Sequence, residues 1–196
     1  MRSAGWEDIK TMVEVLTDTF EENPGSTWLL RKTIDRRKGI KRLCRYVSAK
    51  AITKDGAYIS DNSMGVAICY RFNNKKKSLR EFFLMLWFGI TSINFARYRE
   101  VLSREAYRES HRPADGNYLY FWFYGVRKGG ERAAWDLARG IFKIADELGL
   151  EIYLETALPR MKPVYERYGF SSYHYWEDSE KDIRFWFMKR KPAGAV

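Results

Sequence analysis

The residues best suited to chemistry lie in one stretch, 118–170. It starts with an unbroken apolar run, 118–126, which leads into a basic loop containing Gly129 and Gly130 and then into an amphipathic segment, 132–148. The unpaired N–H groups at a helix start, together with the positive end of the helix dipole, favour a bound phosphate. The spacing therefore predicts a strand, a phosphate-binding loop and a helix in direct succession.

The elements after this helix support the same layout. Gly149 is a typical C-cap glycine, and residues 152–156 form a second buried strand pattern. Pro163 suits the first turn of a short helix over 164–168, which Gly169 closes. The last predicted elements are two closing strands, 171–177 and 183–189, joined as a hairpin across 178–181, and a loose tail, 191–196.

The amino-terminal half predicts mostly helices. Apolar spacing and turn residues give helices at 7–22, 26–33, 39–50, 82–96 and 98–109, and strands at 57–60 and 65–72. We predict one domain over residues 1–190, because no linker divides the chain. On the helix at 132–148, Trp135 and Leu148 are expected on the buried side.

Composition narrows the class of protein. The chain has 196 residues, 45% of them apolar and 16% aromatic, which excludes disorder and allows a sizeable core. The net charge of +10 indicates either an excess of surface cations or a polyanionic partner such as a phosphorylated cofactor. Residues 31–45 contain eight basic residues and one acid, Asp35. This run is either a solvated helix face or a contact to the nucleotide of a cofactor, an acidic substrate or a partner.

Cysteine usage and the amino terminus predict a cytoplasmic protein. Cys44 and Cys69 are far apart and have no metal-like spacing, and with two histidines the chain predicts neither a disulfide framework nor a metal site. The amino terminus lacks the pattern of a signal peptide. The apolar run at 82–96 is shorter than a membrane-spanning helix, so no integral membrane segment is expected. We interpret it as a buried or pocket-covering helix, with a membrane-surface or dimer contact as the alternative.

Two motifs resemble the GNAT acetyltransferases. YLETALPRMKPVYERYGF, at 153–170, is similar to the strand and short helix beside acetyl-coenzyme A in that family, and HRPADGNYLYFWFYGV, at 111–126, is similar to its loop and central strand. The resemblance is firm over 111–170 and architectural over 7–110, where the first strand is short or missing. It implies an α/β (α+β) fold with a central mixed, mostly antiparallel twisted sheet flanked by helices.

The resemblance also implies a cofactor, acetyl-coenzyme A, and the residues that bind it. The pantetheine arm would pair with the central strand at Tyr124, Gly125 and Val126. The pyrophosphate would lie on the loop residues Arg127, Lys128, Gly129, Gly130, Arg132, Ala133 and Ala134.

This loop departs from the family pattern. Ala134 conforms, whereas Arg132 occupies the position of a glycine. Outside the loop, in the segment before Tyr165, Leu158 and Met161 occupy positions where the family has asparagine. Either Arg127, Lys128 and Arg132 replace backbone contacts by charge, or the loop no longer holds the cofactor well.

Tyr165 matches the tyrosine that the family uses to protonate the departing thiolate as a general acid. The alternative is an ordinary half-buried aromatic. Glu155 is the candidate general base, acting directly or through a water, with a structural carboxylate as the alternative. His111 would serve the pocket entrance or brace its loop. Three aromatic residues would line an acceptor pocket or fill the core: Tyr120, Trp122 and Trp87.

The leading functional interpretation is an acetyl-coenzyme A-dependent N-acetyltransferase acting on the amine of a small molecule or peptide by direct attack. A catalytically decayed binding or regulatory module of the same fold is the alternative. Nucleic-acid binding ranks third, because the basic run lacks interleaved aromatic residues and a recognised motif. A homodimer is compatible with the sequence.

Overall fold

The computed structural model describes residues 1–178 and 183–194. The strands are β1 (Arg2–Ser3), β2 (Ala57–Ile59), β3 (Gly65–Arg71), β4 (Leu119–Val126), β5 (Ile152–Thr156), β6 (Ser171–Asp178) and β7 (Ile183–Arg190). The α-helices are α1 (Ile9–Phe20), α2 (Pro24–Thr27), α3 (Arg36–Thr53), α4 (Leu79–Ser92), α5 (Tyr98–Ser110), α6 (Glu131–Leu148) and α7 (Lys162–Arg167). Short 3-10 turns precede α1, α5 and α7.

The described strands form one mixed sheet in the order β1-β2-β3-β4-β5-β7-β6. Only the β4–β5 pair is parallel among them, and α6 makes the crossover between these two strands. The other pairings are antiparallel. The mixed, mostly antiparallel sheet predicted from the sequence is therefore confirmed, and β1 is short as expected.

The core is divided by the sheet into two layers. Alternate side chains of β3 and β4 point to opposite faces. Val66, Ile68 and Phe123 meet α1 and α3 on one face, whereas Ala67 and Phe121 meet α6 on the other. A strand covered on both faces gains from apolar residues at every position, which explains the unbroken apolar run of β4.

Several predictions from the sequence need correction. The helix predicted at 26–33 is the shorter α2, whose N-cap Asn23 accepts a bond from the Ser26 N–H. Trp135 and Leu148 are exposed rather than buried. The buried interpretation of 82–96 is wrong for most of its residues, because α4 turns one apolar side to solvent. The predicted hairpin loop lies mostly outside the described residues, as does the end of the tail.

Cys44 and Cys69 are both buried free thiols. Within the described residues, none of the helices has the length and apolar character needed to cross a bilayer.

Candidate active site

A cavity of about 470 Å³ lies where β4 and β5 separate. Its wall combines residues of α1, α2, α5, β4, β5, α6, α7 and β7. The residues singled out from the sequence that line it are Tyr120, Trp122, Tyr124, Val126, Ala134, Glu155, Leu158, Met161 and Tyr165. The cavity therefore joins the start of α6 to the tyrosine of α7, although these are about thirty residues apart in the chain.

The two parallel strands pair only at their amino-terminal ends. Leu119 lies opposite Ile152 and Tyr120 opposite Tyr153, and the ladder then stops. On its other edge β4 stays paired with β3 as far as Val126. The backbone of β4 beyond Tyr120 thus has an unpaired edge facing the cavity, where it can bond the amides of an extended ligand.

A bulge in β4 accounts for this separation. Phe123 lies opposite Ile68 and Phe121 lies opposite Cys69, so Trp122 is the extra residue between them. A bulge bends its strand and increases the local twist, which turns the end of β4 away from β5.

The first turn of α6 presents unpaired N–H groups. Gly130 is the N-cap, and its carbonyl accepts the first helical bond from the Ala134 N–H at 3.0 Å. Within the described residues, the N–H groups of Glu131, Arg132 and Ala133 have no acceptor. These donors and the helix dipole favour an anion, whereas the exposed Glu131 carboxylate in the same turn opposes one.

The two loop glycines have different roles. Gly129 has a φ of +80°, which favours glycine, and no atom lies within 4 Å of the position a Cβ would occupy. At Gly130 a Cβ would lie 2.7 Å from Val126 Cγ1 and 2.9 Å from the Arg127 carbonyl oxygen. Gly129 thus leaves the backbone open to a ligand, and Gly130 allows the tight turn into α6.

The cations of the loop are not equivalent. Arg127 lies 3.6 Å from the Glu14 carboxylate and 3.4 Å from that of Asp18, both on α1, so its charge is largely compensated. Lys128 and Arg132 are exposed, and neither makes an ion pair within the described residues. Of the three cations predicted to replace backbone contacts, only these two are available to a phosphate.

One contact fixes the loop relative to β4, and a second fixes β4 against α1. The Tyr124 hydroxyl donates to the Ala134 carbonyl at 2.7 Å, which ties the strand to the first turn of α6. Gly125 packs against α1 so closely that a Cβ would lie 2.9 Å from Thr19 Oγ1 and 3.1 Å from a Leu16 methyl. The sequence-predicted strand residues therefore position the loop whether or not they bind a ligand.

Tyr165 lies in the cavity wall on α7. It is half-buried and packs edge-on against Phe170, with ring centroids 5.6 Å apart. Within the described residues its hydroxyl has no hydrogen-bond partner. Burial, assisted by the neighbouring Tyr168, raises the pKa of Tyr165 to about 12. The phenol therefore keeps its proton at physiological pH and has it free to donate.

Glu155 belongs to a buried network at the base of the cavity. Its Oε1 accepts from Arg112 Nε at 2.9 Å, and its Oε2 accepts from the Tyr120 hydroxyl at 2.8 Å. The side chains of Glu155 and Arg112 are each only 2% exposed. Since both carboxylate oxygens are engaged, the geometry favours the structural alternative for Glu155.

Burial opposes the charge of Arg112, but Tyr120 and Glu155 outweigh it and raise the arginine pKa. Arg112 was not among the functional residues predicted from the sequence. Its place in the HRP loop, a short distance before β4, was the available signal.

Part of the cavity wall is aromatic, and the charged side chains beside it are paired. The rings belong to Phe20, Trp28, Trp122, Phe123 and Phe185. Arg104 lies 3.8 Å over the Trp28 ring and bonds Glu100 and Asp178, each at 3.0 Å. Arg108 pairs with Glu105. Among the described wall residues the acids are Glu105 and Glu155, and each already has an arginine partner.

Two residues considered from the sequence lie elsewhere. His111 is outside the cavity wall, where its Nδ1 lies 2.8 Å from the Tyr107 carbonyl and its ring stacks on His174 at 4.0 Å. This is the geometry of a histidine that braces its loop. Trp87 lies on the exposed side of α4 and also does not line the cavity.

No family model matches this chain. No curated protein sequence matches it either.

Solved structures do resemble it over nearly its whole length. A histone acetyltransferase HPA2 and related acetyltransferase from Corynebacterium glutamicum has a TM-score of 0.66 at 18% identity, covering 100% of this chain and 97% of that one. Arylalkylamine N-acetyltransferase 2 from Aedes aegypti gives 0.66 at 13% identity, with 97% of both chains covered. The C-terminal condensation domain of Ebony, in complex with beta-alanyl-dopamine, gives 0.69 at 11% identity, also with 97% of both covered.

These likenesses establish the fold. The chain has the GNAT acetyltransferase fold, as its motifs predicted. At identities below one fifth, the activity of each neighbour is a property of that neighbour.

Proposed function

We propose that this chain is an acetyl-coenzyme A-dependent N-acetyltransferase in which a neutral amine attacks directly and Tyr165 acts as the general acid. One observation carries the proposal: a single cavity is lined by β4 along its unpaired edge, by Ala134 in the first turn of α6 and by Tyr165 on α7. The pantetheine amides, the pyrophosphate and the sulfur of coenzyme A would use the β4 edge, the start of α6 and the tyrosine, respectively.

The residues present fit the cofactor at both ends. The backbone of Tyr124, Gly125 and Val126 would hold the pantetheine amides, and the first turn of α6 with Lys128 and Arg132 would hold the pyrophosphate. When bound, acetyl-coenzyme A supplies the activated acetyl thioester. The protein's part is to position the amine and to move protons.

Tyr165 is proposed to donate its phenolic proton toward the sulfur as the carbon–sulfur bond breaks. A pKa of about 12 keeps the donor protonated at alkaline pH, where an alkylamine with a pKa near 10 loses its own proton. The required states of donor and nucleophile therefore coexist. The amine proton is proposed to leave to water, since both oxygens of Glu155 are already engaged.

The acceptor is proposed to be a monoamine with an apolar, preferably aromatic, body. Aromatic rings line the wall, and among the described wall residues both acids are paired with arginine, which leaves no free carboxylate there to hold a second ammonium group. Two neighbours are described with compounds of this kind: an arylalkylamine N-acetyltransferase, and the Ebony domain in complex with beta-alanyl-dopamine. An arylalkylamine should be acetylated with a kcat/KM roughly tenfold or more above that of an aliphatic diamine of equal length.

Isothermal titration with acetyl-coenzyme A tests the proposal first. Saturable binding is expected, and no binding at about millimolar cofactor would refute it. Tyr165→Phe should then lower kcat by roughly 10²-fold or more with little change in Kd. Equal turnover by the Phe variant would exclude the acid role, whereas binding without turnover on an amine panel would favour the decayed module.

The loop offers a matched test of cofactor contact. Lys128→Ala and Arg132→Ala should each weaken coenzyme A binding by roughly 1.5- to fivefold, since each removes an exposed charge contact of about 0.2–1 kcal/mol. Arg127→Ala is the control and should change Kd little, because Glu14 and Asp18 already neutralise it. If Arg127→Ala is the most damaging of the three, the proposed phosphate position is wrong.

A further inference from the structure

Helix α4 has a second apolar side that nothing in the described chain covers. Leu79, Phe82, Phe83, Leu86 and Ile90 recur at the spacing of one helix face and are between 45% and 78% exposed. The opposite side is the one that packs: it carries the buried Phe88, whose ring stacks on Tyr46 of α3 at 6.2 Å.

More exposed apolar residues follow α4 in the chain. Phe95, Tyr98 and Leu102, in the turn after α4 and along α5, are each exposed by half or more. Soluble monomers rarely expose a contiguous apolar patch of this extent unless the patch binds something.

A basic stripe runs beside this face on α3. Lys38, Lys41 and Arg45, spaced three and four residues apart, are exposed and have no ion-pair partner within the described residues. Arg42, on the same side of α3, reaches across to α4, where it lies 4.8 Å over the Trp87 ring and bonds the Thr91 carbonyl at 3.1 Å. The stripe and the apolar face are therefore neighbours.

More cations lie at the other end of α4. The loop before the helix carries Lys75 and Lys77, which are exposed and unpaired within the described residues, and Arg80 on the first turn is exposed above the Trp6 ring at 4.2 Å. The apolar face thus has cations at its amino-terminal end and along one flank.

We infer that α4, with the basic stripe of α3, is a docking surface for an anionic lipid bilayer, on which the helix lies in the plane of the interface. Exposed apolar side chains bordered by Lys and Arg are what such helices use: the apolar groups enter the acyl boundary and the cations meet the lipid phosphates. The inference is independent of the proposed enzyme activity.

A second copy of the chain fits this surface less well. In a two-fold dimer the same patch meets itself, so the basic flanks of both copies would be brought together. With a net charge of +10 on each chain, this repulsion opposes association, whereas an anionic surface is attracted.

Co-sedimentation with vesicles tests the docking surface. The full chain should bind vesicles of equal phosphatidylcholine and phosphatidylglycerol, but not pure phosphatidylcholine. Phe83→Ser/Ile90→Ser and Lys41→Glu/Arg45→Glu should each lower the partition coefficient by roughly tenfold or more, and added salt should weaken wild-type binding. All four positions are on the surface, so folding is expected to be retained and is checked by circular dichroism.

Matched controls lie on the opposite face of the sheet. Trp135→Ser/Leu148→Ser and Arg139→Glu/Lys143→Glu change the same number of exposed residues on α6, the second with the same change in net charge, and should leave vesicle binding unchanged. Absence of binding to the anionic vesicles, or equal loss in the α6 controls, overturns the inference. Two other results would also overturn it. One is a concentration-dependent dimer in sedimentation velocity that Phe83→Ser/Ile90→Ser dissociates. The other is binding to a nucleic-acid duplex that Lys41→Glu/Arg45→Glu abolishes and Phe83→Ser/Ile90→Ser leaves intact.

Discussion

The buried pair of Arg112 and Glu155 should behave as a coupled unit in a double-mutant cycle. At 2.9 Å, with an effective dielectric constant of about 20, Coulomb's law gives roughly 6 kcal/mol of attraction. Removing both ions from water costs several kcal/mol each, and Arg112 Nη2 is buried without an acceptor in the described chain. The net contribution of the intact pair to stability is therefore expected to be close to zero.

Breaking the pair from one side should be far more costly. Arg112→Met leaves the buried Glu155 carboxylate with the Tyr120 hydroxyl as its remaining partner among the described residues, and we expect a loss of about 3–5 kcal/mol in the free energy of unfolding. Glu155→Met should cost a similar amount by stranding the guanidinium. The double variant, with both charges gone and the volume kept, should recover most of the loss.

Urea denaturation of the four proteins measures the cycle, at low temperature if a single variant is too unstable when warm. Two results would refute the reasoning. One is a single variant that loses less than about 1 kcal/mol, which would mean that the pair is solvated. The other is additive losses in the double variant, which would mean that the two charges do not interact.

Further predictions concern alkaline stability and backbone packing. Burial raises the pKa of Tyr46, Tyr58 and Tyr165 to about 12. Because the same tyrosines ionise near pH 10 in the unfolded chain, the unfolded state loses its protons first as the pH rises. The free energy of unfolding should therefore be unchanged below pH 10 and fall between pH 10 and about pH 12, by up to about 1.4 kcal/mol per pH unit for each tyrosine. Urea midpoints and m values across that range test this, and a flat profile contradicts it. Gly89→Ala, in open space within α4, should raise the free energy of unfolding by about 0.5–1 kcal/mol. Gly125→Ala, where the added methyl group would meet α1, should lower the free energy of unfolding by about 1–3 kcal/mol. If urea unfolding shows Gly125→Ala to be the more stable of the two variants, this account of the packing is wrong.

The fold was largely predictable because its signals are local. Each signal predicts the structure of the segment in which it lies: the apolar run predicts β4, the glycine predicts the end of α6, and the closing segments predict β6 and β7. Each of these elements lies within a few residues of its predicted place. The short α2 was the exception. Asn23 and Pro24 start a helix there instead of only ending the previous one, which follows from the N-cap and first-turn preferences of these residues.

The site was predictable only in part, because its decisive contacts are between distant segments. The resemblance placed Tyr165, Tyr124 and Ala134 at the cavity. It gave no indication that Arg127 would turn to carboxylates on α1, or that Glu155 would be held by Arg112, since both pairings depend on tertiary packing.

Helix α4 shows the limit most clearly. A run in which nearly every residue is apolar carries no sign of which side faces the protein, so burial was the default interpretation. Packing against α3 determines which side of α4 is covered, through the contacts of Tyr46 with Phe88 and of Arg42 with Trp87. The basic stripe of α3 beside these contacts stays exposed to solvent. Nothing in the sequence indicated that the basic run at 31–45 and the apolar run at 82–96 would lie next to each other. Packed side by side, they form one surface with the apolar centre and cationic border that an anionic bilayer attracts.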